Sequence, residues 1–171
     1  MSFHQESGKQ ALQILLEELK HLRQSIAQLT RQIRALAQQE PYRTQVKLLE
    51  TIPGISTLTS MILLTEIVDI NRFKALDQLA SYVGLIPGED SSGEQKKVTG
   101  LTRRRNAHLR VMLIECSWVA VRKDPAMLMA FNKLSERMPK NRAIVRIAHK
   151  LLNRIRYVLK NQEPYEICIV A

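Results

Sequence analysis

Apolar residues recur near the start of the chain at alternating spacings of three and four: Leu12, Leu15, Leu19, Leu22, Ile26, Leu29, Ile33 and Leu36. A helix brings such a series onto one narrow seam, so the spacing predicts a coiled coil. Leu12, Leu19, Ile26 and Ile33 fall at one core position, and the remaining leucines at the other. The Ile/Leu division of the later heptads favours two parallel strands, hence a homodimer. An intramolecular hairpin partner is the alternative, because Glu18, Arg23, Ser25, Thr30 and Gln32 beside the seam carry too little complementary charge to decide pairing. Pro41 is expected to end this helix.

Beyond Pro41 the pattern breaks into short helical stretches separated by proline and glycine. Sustained strand alternation is lacking, except in the closing Glu-Ile-Cys-Ile-Val-Ala of residues 166–171. The prediction is a mainly α protein: a coiled-coil helix over 1–40, then a compact helical domain over 41–171. Within that domain the stretch 111–121, with Met112 and Trp118, reads as a core helix, and Phe73 and Tyr82 sit among apolar neighbours. In the last helix Ile144, Ile147, Ala148, Leu151, Ile155 and Val158 form one apolar stripe. Arg142, Arg146, Lys150, Asn153, Arg154 and Lys160 fall mostly off it, which leaves a polar face for solvent or phosphate.

Charge sharpens this picture. The 171 residues carry 26 Lys and Arg against 16 Asp and Glu, a formal charge of +10, so a polyanion is the natural partner class. Residues 96–110 hold six basic groups and no acid, and residues 133–160 hold nine against the single Glu136. No apolar run approaches the roughly 20 residues a bilayer span needs, and no cleavable signal pattern opens the chain. Nucleic acid is therefore expected over membrane, and a cytoplasmic location. Cys116 and Cys168 share no zinc-like spacing, and His4, His21, His108 and His149 show no metal-ligand spacing, so neither a disulfide nor a metal site is expected.

Two segments have chemical content. Residues 48–67 place Ile-Pro-Gly-Ile-Ser between two helical patterns, as a helix-hairpin-helix does. Amides around Gly54, Ile55 and Ser56 would open the second helix, where free N–H groups and the helix dipole favour a DNA phosphate. A plain αα-corner with Ser56 as its cap is the rival reading. Residues 84–100 then set Ser91 and Ser92 in a glycine-punctuated loop beside Lys96, Lys97, Arg103, Arg104, Arg105 and Arg110. A serine oxygen attacking a phosphodiester would store the bond energy for religation, with cations balancing the phosphorane charge. From chemistry alone the pair ranks first as turn serines, since Ser-Gly is abundant in turns.

The ordered series Ile52-Pro53-Gly54-Ile55, Glu66-Ile67, Arg72-Phe73, Leu79 to Leu85, Pro87, Ser92-Gly93, Gly100, Thr102-Arg103, Asn106 and Leu109-Arg110 carries a resemblance. Ala143, Ala148, Lys150, Leu151, Tyr157 and Pro164-Tyr165 extend it. It resembles the C-terminal half of the insertion-sequence transposases of the one-ten group, which have a DEDD, RuvC-like N-terminal half and are also described as bridge-RNA-guided recombinases. The resemblance covers about residues 48–166 and implies that Ser92 attacks DNA. It further implies a coiled coil joining protomers, DNA and a guide RNA as partners, and four carboxylates binding divalent metal (Mg) in the N-terminal half. That half is expected to lie outside this chain, leaving the chain alone without turnover and without a cofactor of its own. Arg105 stands where the family pattern has glycine.

Three functions follow in order. The first is a transposase domain that grips DNA through Gly54, Ile55, Ser56, Lys96, Lys97, Arg103, Arg104, Arg105, Arg110, Arg142, Arg146 and Lys150, and presents Ser92. A non-catalytic nucleic-acid-binding module comes second, and a coiled-coil interaction adaptor third.

Overall fold

The computed structural model describes residues 6–92, 95–101 and 106–167, and over 87–92 and 95–101 it describes the backbone. The fold is mainly α. Helix α1 (Glu6–Leu36) is followed by α2 (Tyr42–Glu50), α3 (Thr57–Ile67), a 3-10 turn at Ile70–Arg72 and α4 (Leu76–Val83). Strands β1 (Pro87–Ser92) and β2 (Gln95–Leu101) come next, then α5 (Ala107–Lys123), α6 (Pro125–Ser135) and α7 (Lys140–Asn161).

Helix α7 is the axis of the core. Ala143, Ile144, Ile147, Ala148, Leu151, Leu152, Ile155, Val158 and Leu159 are all buried, a face wider than the six-residue stripe read from the sequence. The extra width has a cause: α7 packs against α2, α4, α5 and α6 at once. Leu109, Leu113, Cys116 and Ala120 supply the facing side of α5, Val46 and Leu49 that of α2, and Met127 and Phe131 that of α6. Met112 and Trp118 flank this core partly buried, with Trp118 meeting Phe131 edge-on at 5.5 Å between ring centroids. Burying nine side chains of one helix on four neighbours is what makes the body cohere, at roughly 25 cal/mol per Å² of apolar surface.

Polar caps set the helix starts. The Ser56 hydroxyl accepts from the Thr59 N–H at 3.3 Å, Asn106 from the Leu109 N–H at 3.1 Å, and Asp124 from the Ala126 N–H at 2.9 Å just ahead of Pro125. Gly84, at a φ of 81° that suits glycine, ends α4.

Two expectations need correction. Helix α1 stops at Leu36, before Pro41, because from Gln38 onward the N–H groups bond three residues back, Gln38 to Ala35 and Gln39 to Leu36, in place of four. Pro41 instead stands at the start of α2, where its lacking N–H costs nothing. The segment 84–100, expected as a loop, contains an antiparallel hairpin: Ser91 pairs with Lys96 and Ser92 with Gln95, with an irregularity at Pro87/Gly88. Its strands, Pro-Gly-Glu-Asp-Ser-Ser and Gln-Lys-Lys-Val-Thr-Gly-Leu, are poor in β-branched and aromatic residues, so no alternation signalled them. In the closing segment Glu166 and Ile167 belong to no strand, and residues 168–171 lie outside the described residues.

Helix α1 itself contributes no buried residue and meets the body at α3. Its seam runs from 38 % exposed at Ile33 to 67 % at Leu15, so nothing in the described chain covers it.

Candidate serine hairpin and nucleic-acid interface

Ser92 is the last residue of β1, opposite Gln95, and Lys96 and Lys97 lie on β2 opposite Ser91 and Asp90. Arg103, Arg104 and Arg105 lie outside the described residues, while Arg110 sits partly buried in the first turns of α5. The described chain ahead of β1 and at the start of α5 is bonded to the helical body. Where the chain enters, Leu85 is buried and its N–H donates to the Ala80 carbonyl at 2.8 Å. Where α5 begins, the Asn106 N–H donates to the Tyr82 carbonyl at 3.2 Å, and its side-chain amide donates to the Glu66 carboxylate at 2.6 Å.

Glu66 is the hub of these bonds. Its backbone carbonyl accepts from the Tyr82 hydroxyl at 3.2 Å and from Arg72 at 3.4 Å. The Arg72 guanidinium lies over both the Phe73 and Tyr82 rings, at 4.6 and 4.9 Å, and the rings tilt together at 5.5 Å. Four residues from α3, the 3-10 turn, α4 and the start of α5, Glu66, Arg72, Tyr82 and Asn106, therefore meet in one cluster. Their sequence positions carried the family resemblance, but a role for them was not readable: the bond from Asn106 to Glu66 joins residues 40 positions apart.

The turn between α2 and α3 is a packing joint. Gly54 has a φ of 95°, and an added Cβ would collide with the Cys116 carbonyl oxygen and crowd the Ala120 nitrogen at 3.1 Å. Ile55 is buried. Ser56 is the exposed member of the three, and its hydroxyl is occupied with Thr59. The neighbouring Thr57 hydroxyl donates to Glu50, which already sets a carboxylate at this helix start. Close by, burial pushes the Cys116 thiol above its usual pKa, against the pull of a Thr59 hydroxyl at 3.8 Å, so it stays protonated and unreactive.

On α7, Arg142, Arg146 and Lys150 are exposed as the sequence predicted, and the helix contains no acidic residue. Asn153, Tyr157 and Lys160, also exposed, continue the same face. Their helical spacing is available in the sequence, where Tyr157 enters only through the family resemblance. His149, at the edge of this face, has its pKa lowered by burial, with Asp77 opposing and Arg146 and Lys150 adding to the effect.

Arg154 turns inward. Its guanidinium pairs with the fully buried Asp124 carboxylate and lies 4.7 Å over the Tyr165 ring. The Tyr165 hydroxyl donates to Asp124 at 2.8 Å, and the Tyr165 N–H donates to the Thr51 hydroxyl at 2.7 Å. This network fastens the segment after α7 to α6 and to the end of α2. Among the described residues no group of three or more His, Cys, Asp or Glu could hold a metal ion, and no helix is long and apolar enough to cross a membrane.

A family model described as the transposase IS116/IS110/IS902 family matches residues 46–132. The chain is 30 % identical over 161 residues to the transposase for insertion sequence element IS1111A of Coxiella burnetii, covering 92 % of this chain and 43 % of that protein. It is 29 % identical over 143 residues to a probable family 20 transposase of Pseudomonas aeruginosa, covering 81 % of this chain and 41 % of that protein. A shorter stretch of 70 residues is 39 % identical to a putative transposase of Sinorhizobium fredii, 41 % of this chain and 18 % of that one. The chain thus spans less than half the length of these curated relatives.

Proposed function

The chain belongs to the transposase family of IS116, IS110 and IS902, whose model covers half of it, and from that membership we propose that it handles DNA for a recombinase whose nucleophile is Ser92. The observation that carries this reading is where the Ser92 hairpin springs from: Leu85 ahead of β1 and Asn106 at the start of α5 are both bonded to the helical body, Asn106 through Glu66. A reacting group gains from such fixing, since orientation accounts for much of catalysis.

In the proposed step the Ser92 oxygen attacks a DNA phosphorus. The Oγ–P bond forms as the P–O bond to the leaving nucleotide breaks; the serine proton goes to a base, and the departing oxygen takes up a proton. Reversal by another strand's hydroxyl religates DNA without ATP. Lys96, Lys97, Arg103, Arg104, Arg105 and Arg110 would balance the phosphorane charge. Among the described residues no group of three or more His, Cys, Asp or Glu could hold a metal ion; the activating carboxylates and their Mg are proposed to lie in a RuvC-like segment outside this chain.

Exposed Arg142, Arg146 and Lys150 on α7 are proposed to grip the phosphate backbone, of DNA or of a guide-RNA–DNA assembly, with Ser56 at the α2–α3 turn as a lesser contact. The uncovered seam of α1 supports a homodimer formed by a coiled coil.

Joining the chain to a carboxylate half with Mg and cognate DNA should give a covalent protein–DNA adduct that Ser92→Ala abolishes. Equal adduct from Ser92→Ala would overturn the nucleophile. Salt-dependent binding without any adduct would leave the nucleic-acid-binding module.

A further inference from the structure

We propose that the depression at the C-terminal end of α7 accepts one unstacked base of a single-stranded nucleic acid whose phosphates run along the cationic face of the same helix; this rests on the DNA-handling reading above. The depression has a volume of about 510 Å³ and is lined by Asn153, Arg154, Tyr157, Glu163, Pro164, Tyr165 and Glu166. At 100° per residue, Arg142, Arg146, Lys150, Asn153, Tyr157 and Lys160 fall within an arc of about 80° and span about 27 Å along the axis. Cavity and stripe are therefore one continuous surface.

The distribution of charge sorts the ligand. Outside, α7 offers cations and no acid. Inside, the Arg154 charge is committed to Asp124 and the lining adds the Glu163 carboxylate, which repels phosphate. What suits the interior is a flat, neutral group with donor edges. Tyr157 is 54 % exposed, an aromatic face left at the surface, and its hydroxyl donates to Glu163 at 3.1 Å. An ionised carboxylate keeps further acceptor capacity, so Glu163 can also receive an exocyclic amino group, and the Asn153 amide can both give and accept. The floor is rigid, because Tyr165 is fixed by the guanidinium stacked on it and by its bond to Asp124. A duplex keeps its bases stacked and has no free face to offer, whereas aromatic platforms beside cationic grooves are how single strands are held.

The test uses the chain as it stands with single-stranded DNA and RNA oligonucleotides of about 12 nucleotides, each carrying one 2-aminopurine, over a series of salt concentrations. Binding should quench the probe, and the DNA and RNA arms identify which strand enters. Tyr157→Ala, at an exposed position, should remove the quench and weaken binding by about fivefold or more, with the salt slope unchanged. Tyr157→Phe keeps the ring and should keep the quench. Arg146→Ala with Lys150→Ala should flatten the salt slope while bound probe remains quenched. Unchanged affinity and fluorescence in Tyr157→Ala, or equal weakening on duplex, overturns the base site while leaving the DNA-handling reading standing. Failure of the parent chain to bind any nucleic acid at low salt overturns both.

Discussion

Gly54 shows how much one position can carry. The Pro53-Gly54 pair marked a reversal in the sequence, but the reason for glycine lies 62 residues away, at the Cys116 carbonyl that an added Cβ would strike. Gly54→Ala should lower stability by more than about 2 kcal/mol, from the positive φ and the backbone collision together, measured by urea unfolding. A DNA-contact role alone predicts weaker binding by a fully stable protein. Asp124 gives a second case at this scale. It was unmarked in the sequence, because only tertiary structure supplies its partners Arg154 and Tyr165. Arg154→Ala leaves a buried carboxylate without its counter-charge and should cost about 3–5 kcal/mol; Lys150→Ala, on the exposed face, should stay within about 0.5 kcal/mol. His149 adds a pH dependence. Burial lowers its proton affinity in the folded chain despite Asp77, so as pH falls through about 6.5 the unfolded chain binds the proton first. Stability from this group is therefore full above that value and declines below it until the folded form titrates too. Urea midpoints at about pH 8 and about pH 5.5 should differ less for His149→Gln than for the parent.

At the scale of elements, α1, the α2–α3 pair, α5 and α7 were legible and the hairpin was not. Each of these helices carries its apolar residues or its cap on its own sequence, whereas β1 and β2 are polar strands specified by their pairing. The bond from Asn106 to Glu66 makes a prediction of its own. Glu66→Ala removes the acceptor for the Asn106 amide; Glu66→Gln keeps an oxygen there and should behave like the parent. Asn106→Asp still caps α5 but sets two carboxylates face to face, so its defect should ease as the pH falls and one of them takes up a proton. Hydrogen exchange reads this directly. Amides of residues 85–86 and 95–101 should exchange faster in Glu66→Ala and in Asn106→Asp at neutral pH than in Glu66→Gln, with the α7 core unchanged. Equal exchange in all three would mean that the hairpin is held by its own ladder, and the positioning argument for Ser92 would lose its main support.

At the scale of the whole molecule, a body with a cationic helix is joined to a 31-residue helix, about 46 Å long, that buries nothing. The sequence displayed the seam, yet the number of helices that close it is a property of the assembly, which one chain cannot encode in its own contacts. Because α1 contributes no buried residue, it can be altered without disturbing the core. Leu22→Asp with Leu29→Asp places charge at two successive heptad positions and should turn a self-associated species into a monomer by light scattering, while thermal unfolding of the body persists. The consequence for binding follows from geometry. The proposed dimer would present two α7 faces, and on a DNA long enough to meet both, the second contact would be intramolecular, which can raise avidity by 10² to 10⁴. The double variant should therefore lose affinity for long DNA but match the parent on an oligonucleotide that reaches one face only. Equal loss on both lengths would mean that α1 itself touches nucleic acid, and equal retention on both would mean that pairing and DNA binding are independent.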